Sequence, residues 1–158
     1  EIRLSLVGSE MCIRDRFRPA SSDDISSILE IENKTNKMPW TEAQFISSME
    51  VGHFSVVLHE ESNIQGFAIY SPIVPESHLL NIAIHPTYQG RGLGDKLLQQ
   101  VILQNKTMGV QVISLEVRVS NLTAIKLYEK RGFLKDAIRP NYYSGPPKED
   151  ALLMSIKI

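Results

Sequence analysis

The chain has 158 residues, of which 42% are hydrophobic and 22% charged, a composition typical of one globular domain and unlike disordered or collagen-like chains. Its 17 basic and 18 acidic residues give a formal net charge of −1, so no overall positive charge favours nucleic-acid binding, and we expect none. The single cysteine, Cys12, excludes an intramolecular disulfide, and no apolar run reaches the roughly 20 residues of a membrane span, so we expect a cytoplasmic, monomeric protein with no membrane partner.

Residues 1–16 have neither an initiator methionine nor a cap or turn signal, and we interpret them as a non-native leader outside the fold. An edge strand over residues 3–7 is the alternative, and it would require Leu4 and Leu6 to be buried. No repeat or linker-like tract divides the remainder. Residues 17–158 are therefore expected to form a single domain.

Two helices are predicted first. Ser21 and Ser22 are N-cap candidates, because apolar residues follow at helical spacing from Ile25 onward. Residues 41–44, Thr-Glu-Ala-Gln, are typical of a capping box, which places the start of a second helix there. Pro39 disfavours the helical conformation of the residue before it, so the two helices are separate.

A longer run of alternating strands and helices follows. Strands are predicted at residues 53–59, 64–70, 78–85, 110–117, 133–139 and 151–158, and helices at residues 93–108 and 121–131. Short loops favour antiparallel pairing of the first three strands. The helix between the third and fourth strands forms a crossover, so these two strands are expected to be parallel. The predicted fold is α+β or mixed α/β, with helices packed on one sheet.

A glycine-rich segment at residues 89–94, Gln-Gly-Arg-Gly-Leu-Gly, lies between a predicted strand and the long helix. Glycine lets backbone amides approach a ligand, and a helix N-terminus attracts negative charge, so the segment predicts a phosphate site. The P-loop pattern is absent, and Asp95 stands where a dinucleotide-binding loop has its third glycine. A glycine turn without a ligand is the alternative.

The same segment resembles the acetyl-CoA loop of the GNAT acetyltransferases, which has the pattern Gln/Arg-x-x-Gly-x-Gly/Ala. Further similarity lies in residues 81–86 (NIAIHP), 115–118 (LEVR), 121, 124–129 (AIKLYE) and 132–133 (GF). Residues 39–40 (PW), 141–143 (NYY) and 149–151 (EDA) narrow the resemblance to the ribosomal-protein-alanine N-acetyltransferases. The resemblance extends over nearly all of residues 17–158. It implies the GNAT fold, a mixed and largely antiparallel sheet flanked by about four helices, with a splayed parallel strand pair at the acetyl-CoA site.

The resemblance also implies which residues bind acetyl-CoA. The pantetheine arm would lie along a strand whose amides also stabilise the oxyanion, the pyrophosphate would rest on the glycine loop, and the start of the next helix would add one contact. These residues are Ile82, Ala83, Ile84, Gly90, Arg91, Gly92, Leu93, Gly94, Asp95 and Asn121. Arg91 either contacts phosphate or remains solvated. Asp95 departs from the basic residue common in the family, and we expect it to point outward.

Catalysis is assigned to Glu116 and Tyr128 by the same resemblance. Strand alternation places Ser114 and Glu116 on one face, and the family's general base lies at the Glu116 position. The alternative is that Glu116 is solvated or pairs with Arg118. Tyr128 would protonate the leaving CoA thiolate, the alternative being a core aromatic. Asn121 is predicted to cap its helix as well as to contact the cofactor.

The expected reaction is direct acetylation of a protein N-terminal amine, with an N-terminal alanine of a small-subunit ribosomal protein as the implied acceptor. Pro39, Trp40, Tyr142 and Tyr143 would then form the walls of the peptide site. Two alternatives remain open: an enzyme acting on a small amine or lysine, in which these four residues only pack, and a non-catalytic acyl-CoA-binding module. No metal is expected, because His53, His59, His78 and His85 lack metal-ligand spacing and are interpreted as polar surface.

Overall fold

The computed structural model describes residues 16–158, so the predicted leader, apart from Arg16, lies outside the described residues. Arg16 accepts a hydrogen bond of 2.8 Å through its carbonyl from the His59 amide. It thereby extends the antiparallel pairing of β1 (Phe17–Pro19) with β2 (Phe54–Glu60). No strand is predicted at β1, since three residues are too few to show a periodic pattern.

Each predicted helix and strand is present, with its ends shifted by a few residues. The helices are α1 (Ile25–Thr35), α2 (Glu42–Glu50), α3 (Leu93–Thr107) and α4 (Leu122–Lys130). The remaining strands are β3 (Asn63–Ile73), β4 (Glu76–Ile84), β5 (Val112–Arg118), β6 (Leu134–Tyr143) and β7 (Glu149–Lys157). No helix within residues 16–158 has both the length and the apolar character needed to cross a membrane.

The seven strands form one sheet in the order β1-β2-β3-β4-β5-β7-β6. It is mostly antiparallel, and β4 and β5 are parallel, as predicted. Their ladder pairs residues 76–79 with residues 112–115, so Leu80 and Glu116 are the first residues of each strand beyond it. The two strands therefore pair over one part of their length only.

The chain divides into two compact units, whose boundaries fall within β3, β4 and α3. The first contains residues 16–69 and 81–97, and its core includes Ile28, Ile31, Phe45, Leu58 and Phe67. The second contains residues 70–80 and 98–158, and its core includes Leu98, Val101, Ile113, Phe133 and Met154.

The helix starts in the first unit have the caps that the sequence indicates. At α2, the Thr41 amide donates to Gln44 Oε1 at 2.7 Å, and the Gln44 amide donates to Thr41 Oγ1 at 3.2 Å, which confirms the capping box. Ser21 caps a single 3₁₀ turn, residues 22–24, that leads into α1. There the Ser21 amide donates to the buried Asp24 carboxylate at 2.8 Å. Asp24 also receives two hydrogen bonds from Arg18, at 2.7 and 2.8 Å.

Candidate active site

The glycine loop, residues 89–95, ends at the start of α3. Gly90 and Gly92 have φ values of +78° and +77°, which disfavour any other residue. A Cβ atom at either position would have no neighbour within 4 Å, so the backbone is openly accessible. The Gly92 carbonyl accepts the Lys96 amide at 3.2 Å, the first hydrogen bond of the helix. The amides of residues 93–95 therefore lie in the first turn, where helices bind anions, and the loop fits a pyrophosphate.

The side chains of this loop differ in their surroundings. Leu93 is buried at 7% exposure, so its side chain belongs to the core and only its backbone is available to a ligand. Arg91 is exposed, and its guanidinium lies 5.7 Å from the centre of the Tyr88 ring. Gly94 and Asp95 are partly buried in the first turn of α3.

The strand that precedes the loop, residues 82–84, is held in place by its neighbours within the first unit. Gly66 lies so close that a Cβ there would be 2.5 Å from Ile84 Cδ1 and 2.8 Å from the Ala83 carbonyl oxygen. Gln89 donates its side-chain amide to the Ile84 carbonyl at 2.9 Å. Ile82 and Ala83 are partly exposed, whereas Ile84 is buried. Only glycine at position 66 permits this approach of the two strands.

Trp40, one of the predicted acceptor residues, lines a groove of about 350 Å³ in the first unit. Its ring lies 5.1 Å from Phe45, which in turn contacts Phe67 edge-on. Pro39 is exposed beside it. The other lining residues come from α2 and the loop after it: Ala43, Gln44, Ser47, Ser48, Val51 and His53.

Glu32 fixes the position of this aromatic segment, although no sequence pattern singles it out as more than part of a helical stripe. Its side chain is fully buried, and Oε2 accepts hydrogen bonds from the Trp40 amide at 3.1 Å and from Asn81 Nδ2 at 2.9 Å. Asn36 Nδ2 donates to the same oxygen at 3.3 Å. Glu32 therefore joins the Trp40 segment to the start of the predicted pantetheine strand.

Glu116 lies on the partly exposed face of β5, as its alternation predicts, while Ile113, Leu115 and Val117 are buried. Its Oε2 atom is hydrogen-bonded to His78 Nε2 at 2.5 Å, and 18% of the Glu116 side chain is exposed. The interpretation of His78 as mere polar surface is therefore wrong. It fails because His78 lies opposite Ser114 in the parallel ladder, two residues from Glu116 on the same face.

The alternative partner for Glu116, Arg118, is engaged elsewhere. Its guanidinium lies 3.3 Å from Glu149 Oε2 and 4.1 Å from the centre of the Tyr143 ring. Glu149 also accepts the Ser120 amide at 2.9 Å. This arrangement holds the Tyr143 ring in a fixed position on the second unit, stacked on a cation.

Tyr143 and Glu116 belong to one electrostatic cluster. Burial raises the pKa of Tyr143 to about 12, the nearby Tyr142, Glu116 and Glu149 raise it further, and Arg118 opposes them. We call His78, Ser114, Glu116, Arg118, Tyr143 and Glu149 the Glu116 cluster. Tyr142 stands edge-on to Tyr143 at 4.9 Å and is 43% exposed. The structure thus brings the predicted base together with one predicted acceptor wall.

Asn141 explains how the two tyrosines take this position. It has a φ of +52°, and its amide donates to Asp150 Oδ1 at 2.9 Å. Asparagine tolerates this conformation better than most residues do. The pairing of β6 with β7 is irregular between Arg139 and Tyr143, so the strand direction changes just before the tyrosine pair.

Tyr128 is buried at 6% exposure, and its ring lies 5.6 Å from that of Phe133. Burial raises its pKa, and the neighbouring Tyr143 raises it further. The hydroxyl therefore remains protonated at neutral pH, as a proton donor must. Asn121 Oδ1 accepts the Ala124 amide at 3.3 Å, which confirms the predicted cap of α4. Its contact with a cofactor stays a prediction.

The remaining histidines make local hydrogen bonds. His53 Nδ1 lies 2.8 Å from Ser48 Oγ, and His85 Nδ1 accepts the Thr87 amide at 3.1 Å. Within residues 16–158 no three His, Cys, Asp or Glu side chains converge as metal ligands would. The expectation that no metal is bound stays a prediction.

Chemically, the second unit offers a carboxylate joined to an imidazole as a proton acceptor and a protonated phenol as a donor. The first unit offers backbone amides for an anion. These are the groups required for acyl transfer from a phosphate-bearing donor to an amine.

Comparison with known proteins agrees with this chemistry. Residues 23–133 match the acetyltransferase (GNAT) family. The chain is 42% identical over 134 residues to the [ribosomal protein bS18]-alanine N-acetyltransferase of Haemophilus influenzae, covering 84% of this chain and 91% of that protein. It is 37% identical over 139 residues to the protein of the same name from Salmonella typhimurium, covering 87% and 94%. The crystal structure of the ribosomal-protein-S18-alanine N-acetyltransferase from Escherichia coli superposes with a TM-score of 0.84 at 36% identity, covering 90% and 92%.

Proposed function

Since the chain belongs to the GNAT acetyltransferase family and is an N-acetyltransferase that uses acetyl-CoA, we propose that it acetylates the N-terminal alanine of ribosomal protein bS18. The observation that carries this proposal is the 37% identity, over 94% of its length, to a relative with that acceptor in its name. The proposal treats residues 17–158 as one acetyltransferase domain. It also places the enzyme in the cytoplasm as a monomer that acts on a protein and not on nucleic acid, which the net charge of −1 supports.

The first unit supplies the cofactor residues in this proposal. The amides of residues 93–95 and the open backbone at Gly90 and Gly92 bind the pyrophosphate. The strand of Ile82, Ala83 and Ile84 pairs with the amides of the pantetheine arm and donates to the oxyanion. Arg91, exposed at the loop, adds a charge-assisted contact to phosphate, and Asn121 contributes from the start of α4.

Glu116 serves as the general base. An α-amino group with a pKa of about 8 is mostly protonated at neutral pH, so a proton must leave before the nitrogen attacks. The partly exposed carboxylate of Glu116 accepts this proton. The C–N bond of the amide then forms and the thioester C–S bond breaks. Tyr128 donates a proton to the departing sulfur and recovers one from the amide nitrogen as the intermediate collapses.

Aromatic residues form the acceptor walls in this account. Tyr142 and Tyr143 meet edge-on beside Glu116, and a ring stacked on Arg118 loses little freedom when a peptide binds. Pro39 and Trp40 contribute from the first unit, where Glu32 anchors the segment. In the alternative of a small amine or lysine acceptor, these four residues would pack without contacting a peptide.

The test is a panel of peptides that differ only in the first residue, supplied with radiolabelled acetyl-CoA. One peptide has the N-terminal sequence of bS18, the others replace alanine, and a control has its α-amine blocked. The proposal predicts the highest kcat/KM for the alanine peptide and no incorporation into the blocked one. Equal labelling of the blocked peptide would show that the acceptor is a side chain.

A further inference from the structure

His78 contacts both polar side chains that face it from β5. Its Nε2 atom lies 2.5 Å from Glu116 Oε2, and its Nδ1 atom lies 3.2 Å from Ser114 Oγ. The parallel register produces this arrangement, because His78 pairs directly with Ser114 and Glu116 follows two residues later on the same face. The imidazole thus connects a fixed hydroxyl to the proposed base.

The two partners differ in their access to water. The His78 side chain is 35% exposed, whereas that of Glu116 is 18% exposed. A proton that reaches the imidazole therefore has a direct route to solvent. The Ser114 hydroxyl either donates to Nδ1 or accepts from it, so it stabilises His78 with or without the extra proton.

Proton affinity favours a second group behind the carboxylate. In model peptides an α-amine has a pKa of about 8, a glutamate about 4.3 and a histidine about 6.5. A carboxylate alone is a weak acceptor for an ammonium proton. An imidazole behind it moves the final proton position closer to the affinity of the amine, which lowers the cost of generating the nucleophile.

From these contacts we infer that His78 is a positioning residue that holds Glu116 by Oε2 and takes up the proton that Glu116 removes from the acceptor ammonium. The inference rests on the proposed function of Glu116. The ammonium gives one proton to Glu116 Oε1, the carboxyl gives one from Oε2 to His78 Nε2, and the resulting imidazolium releases it to water. The second proton of the nitrogen leaves after attack and balances the protonation of the CoA sulfur.

Other charged groups surround the pair. Tyr143 and Arg118 belong to the same cluster, Glu149 neutralises Arg118, and Tyr128 is electrostatically coupled to Tyr143. Glu76 lies two residues before His78 on the same strand. Since burial raises the pKa of both tyrosines, they stay neutral while an imidazole titrates. A change of the kinetic pH profile near neutrality is therefore a property of the His78–Glu116 pair.

The first arm of the test uses the full chain, acetyl-CoA and an alanine-initiated peptide. His78→Gln retains a hydrogen-bonding side chain but no titratable ring. We expect kcat to fall about 10- to 100-fold near pH 7 with the acetyl-CoA KM within about twofold of the parent value, and the deficit to shrink above pH 8 as the α-amine loses its own proton. Ser114→Ala gives a smaller loss, and His59→Gln, on β2, is the unchanged control. A His78→Gln profile that superposes on the parent, or is lowered equally at every pH, overturns the inference.

The second arm needs no acceptor. Nitrogen-15 NMR of the free protein at neutral pH records the His78 ring nitrogens, assigned by their loss in His78→Gln. We expect Glu116→Gln to shift the His78 Nε2 resonance and Glu76→Gln to leave it in place. An Nε2 resonance that is the same in the parent and in Glu116→Gln overturns the coupling. If the parent fails to acetylate the peptide, the proposed acceptor is wrong, while the NMR result still decides on His78.

Discussion

Asn81 donates its side-chain amide to the buried Glu32 carboxylate at 2.9 Å, within the first unit. The same oxygen accepts the Trp40 amide, so a single carboxylate links the proposed pantetheine strand to the proposed acceptor wall. A buried carboxylate is costly unless its hydrogen bonds are made. Its retention here is consistent with a positioning role for the two segments.

Glu32→Gln is therefore expected to destabilise the protein. The amide group replaces one oxygen by a donor, which cannot accept from three donors facing the same place, and the expected loss is about 1–3 kcal/mol. Thermal unfolding measures it. Glu30→Gln is the matched control, because Glu30 is exposed on the same helix and paired only with Lys34 and His85. That variant should change stability by less than about 1 kcal/mol, and equal losses in the two variants would contradict the assignment.

The glycine loop yields a prediction with an internal control. Gly90 and Gly52 have φ values of +78° and +86°, and neither position has an atom within 4 Å of an added Cβ. Alanine at either position therefore introduces similar backbone strain, of order 1–2 kcal/mol. Only Gly90→Ala should raise the acetyl-CoA KM, because it also places a methyl group where the phosphates bind. Steady-state kinetics at saturating peptide test this, and an equal KM in both variants would remove the loop from cofactor binding.

Tyr128→Phe preserves the ring packing and removes the hydroxyl. We expect kcat to fall at least about 10-fold with little change in stability, because the proton donor to the leaving sulfur is lost. Since burial raises the Tyr128 pKa above that of a free tyrosine, the parent enzyme should not lose this donor as the pH rises to about 10. Tyr70→Phe is the control. Tyr70 is also buried, with its pKa raised to about 12, and its hydroxyl donates to Gln104 at 2.6 Å. That variant should lose stability and retain kcat; the opposite pattern would exclude Tyr128 from the reaction.

The Arg18–Asp24 pair predicts a specific acid sensitivity. Hydrogen bonds from Arg18 hold the Asp24 pKa below its usual value, so the carboxylate stabilises the folded state above about pH 4. This stabilisation is lost as the pH falls through the lower, folded-state pKa. Asp24→Asn should cost about 1.5–3 kcal/mol at neutral pH and flatten the decline of stability below pH 4. Its neighbour Asp23 is exposed, and Asp23→Asn should behave like the parent in the same denaturation series.

Local patterns in the sequence predict the local features of this fold well. The Thr41–Gln44 capping box, the Asn121 cap and the two faces of β5 each depend on residues within a few positions of one another. The parallel arrangement of β4 and β5 also follows, because a helix of 15 residues separates them.

Contacts set by register are not predictable in this way. His78 and Glu116 are 38 positions apart, and a shift of one residue in the β4–β5 ladder would move the two side chains to opposite faces. The Arg118–Glu149 pair similarly depends on the register of β5 with β7. Correct strand assignments alone leave both contacts undetermined. A histidine and a serine on strands predicted to be parallel neighbours were the available signal.

The most direct test of the central claim is fragmentation mass spectrometry of a peptide that begins with the N-terminal alanine of bS18 and contains an internal lysine, after incubation with the enzyme and acetyl-CoA. The account predicts one acetyl group on the alanine α-nitrogen and an unmodified lysine, with the product reduced in Glu116→Gln although acetyl-CoA still binds. Acetyl on the lysine alone, or equal product with Glu116→Gln, would contradict it.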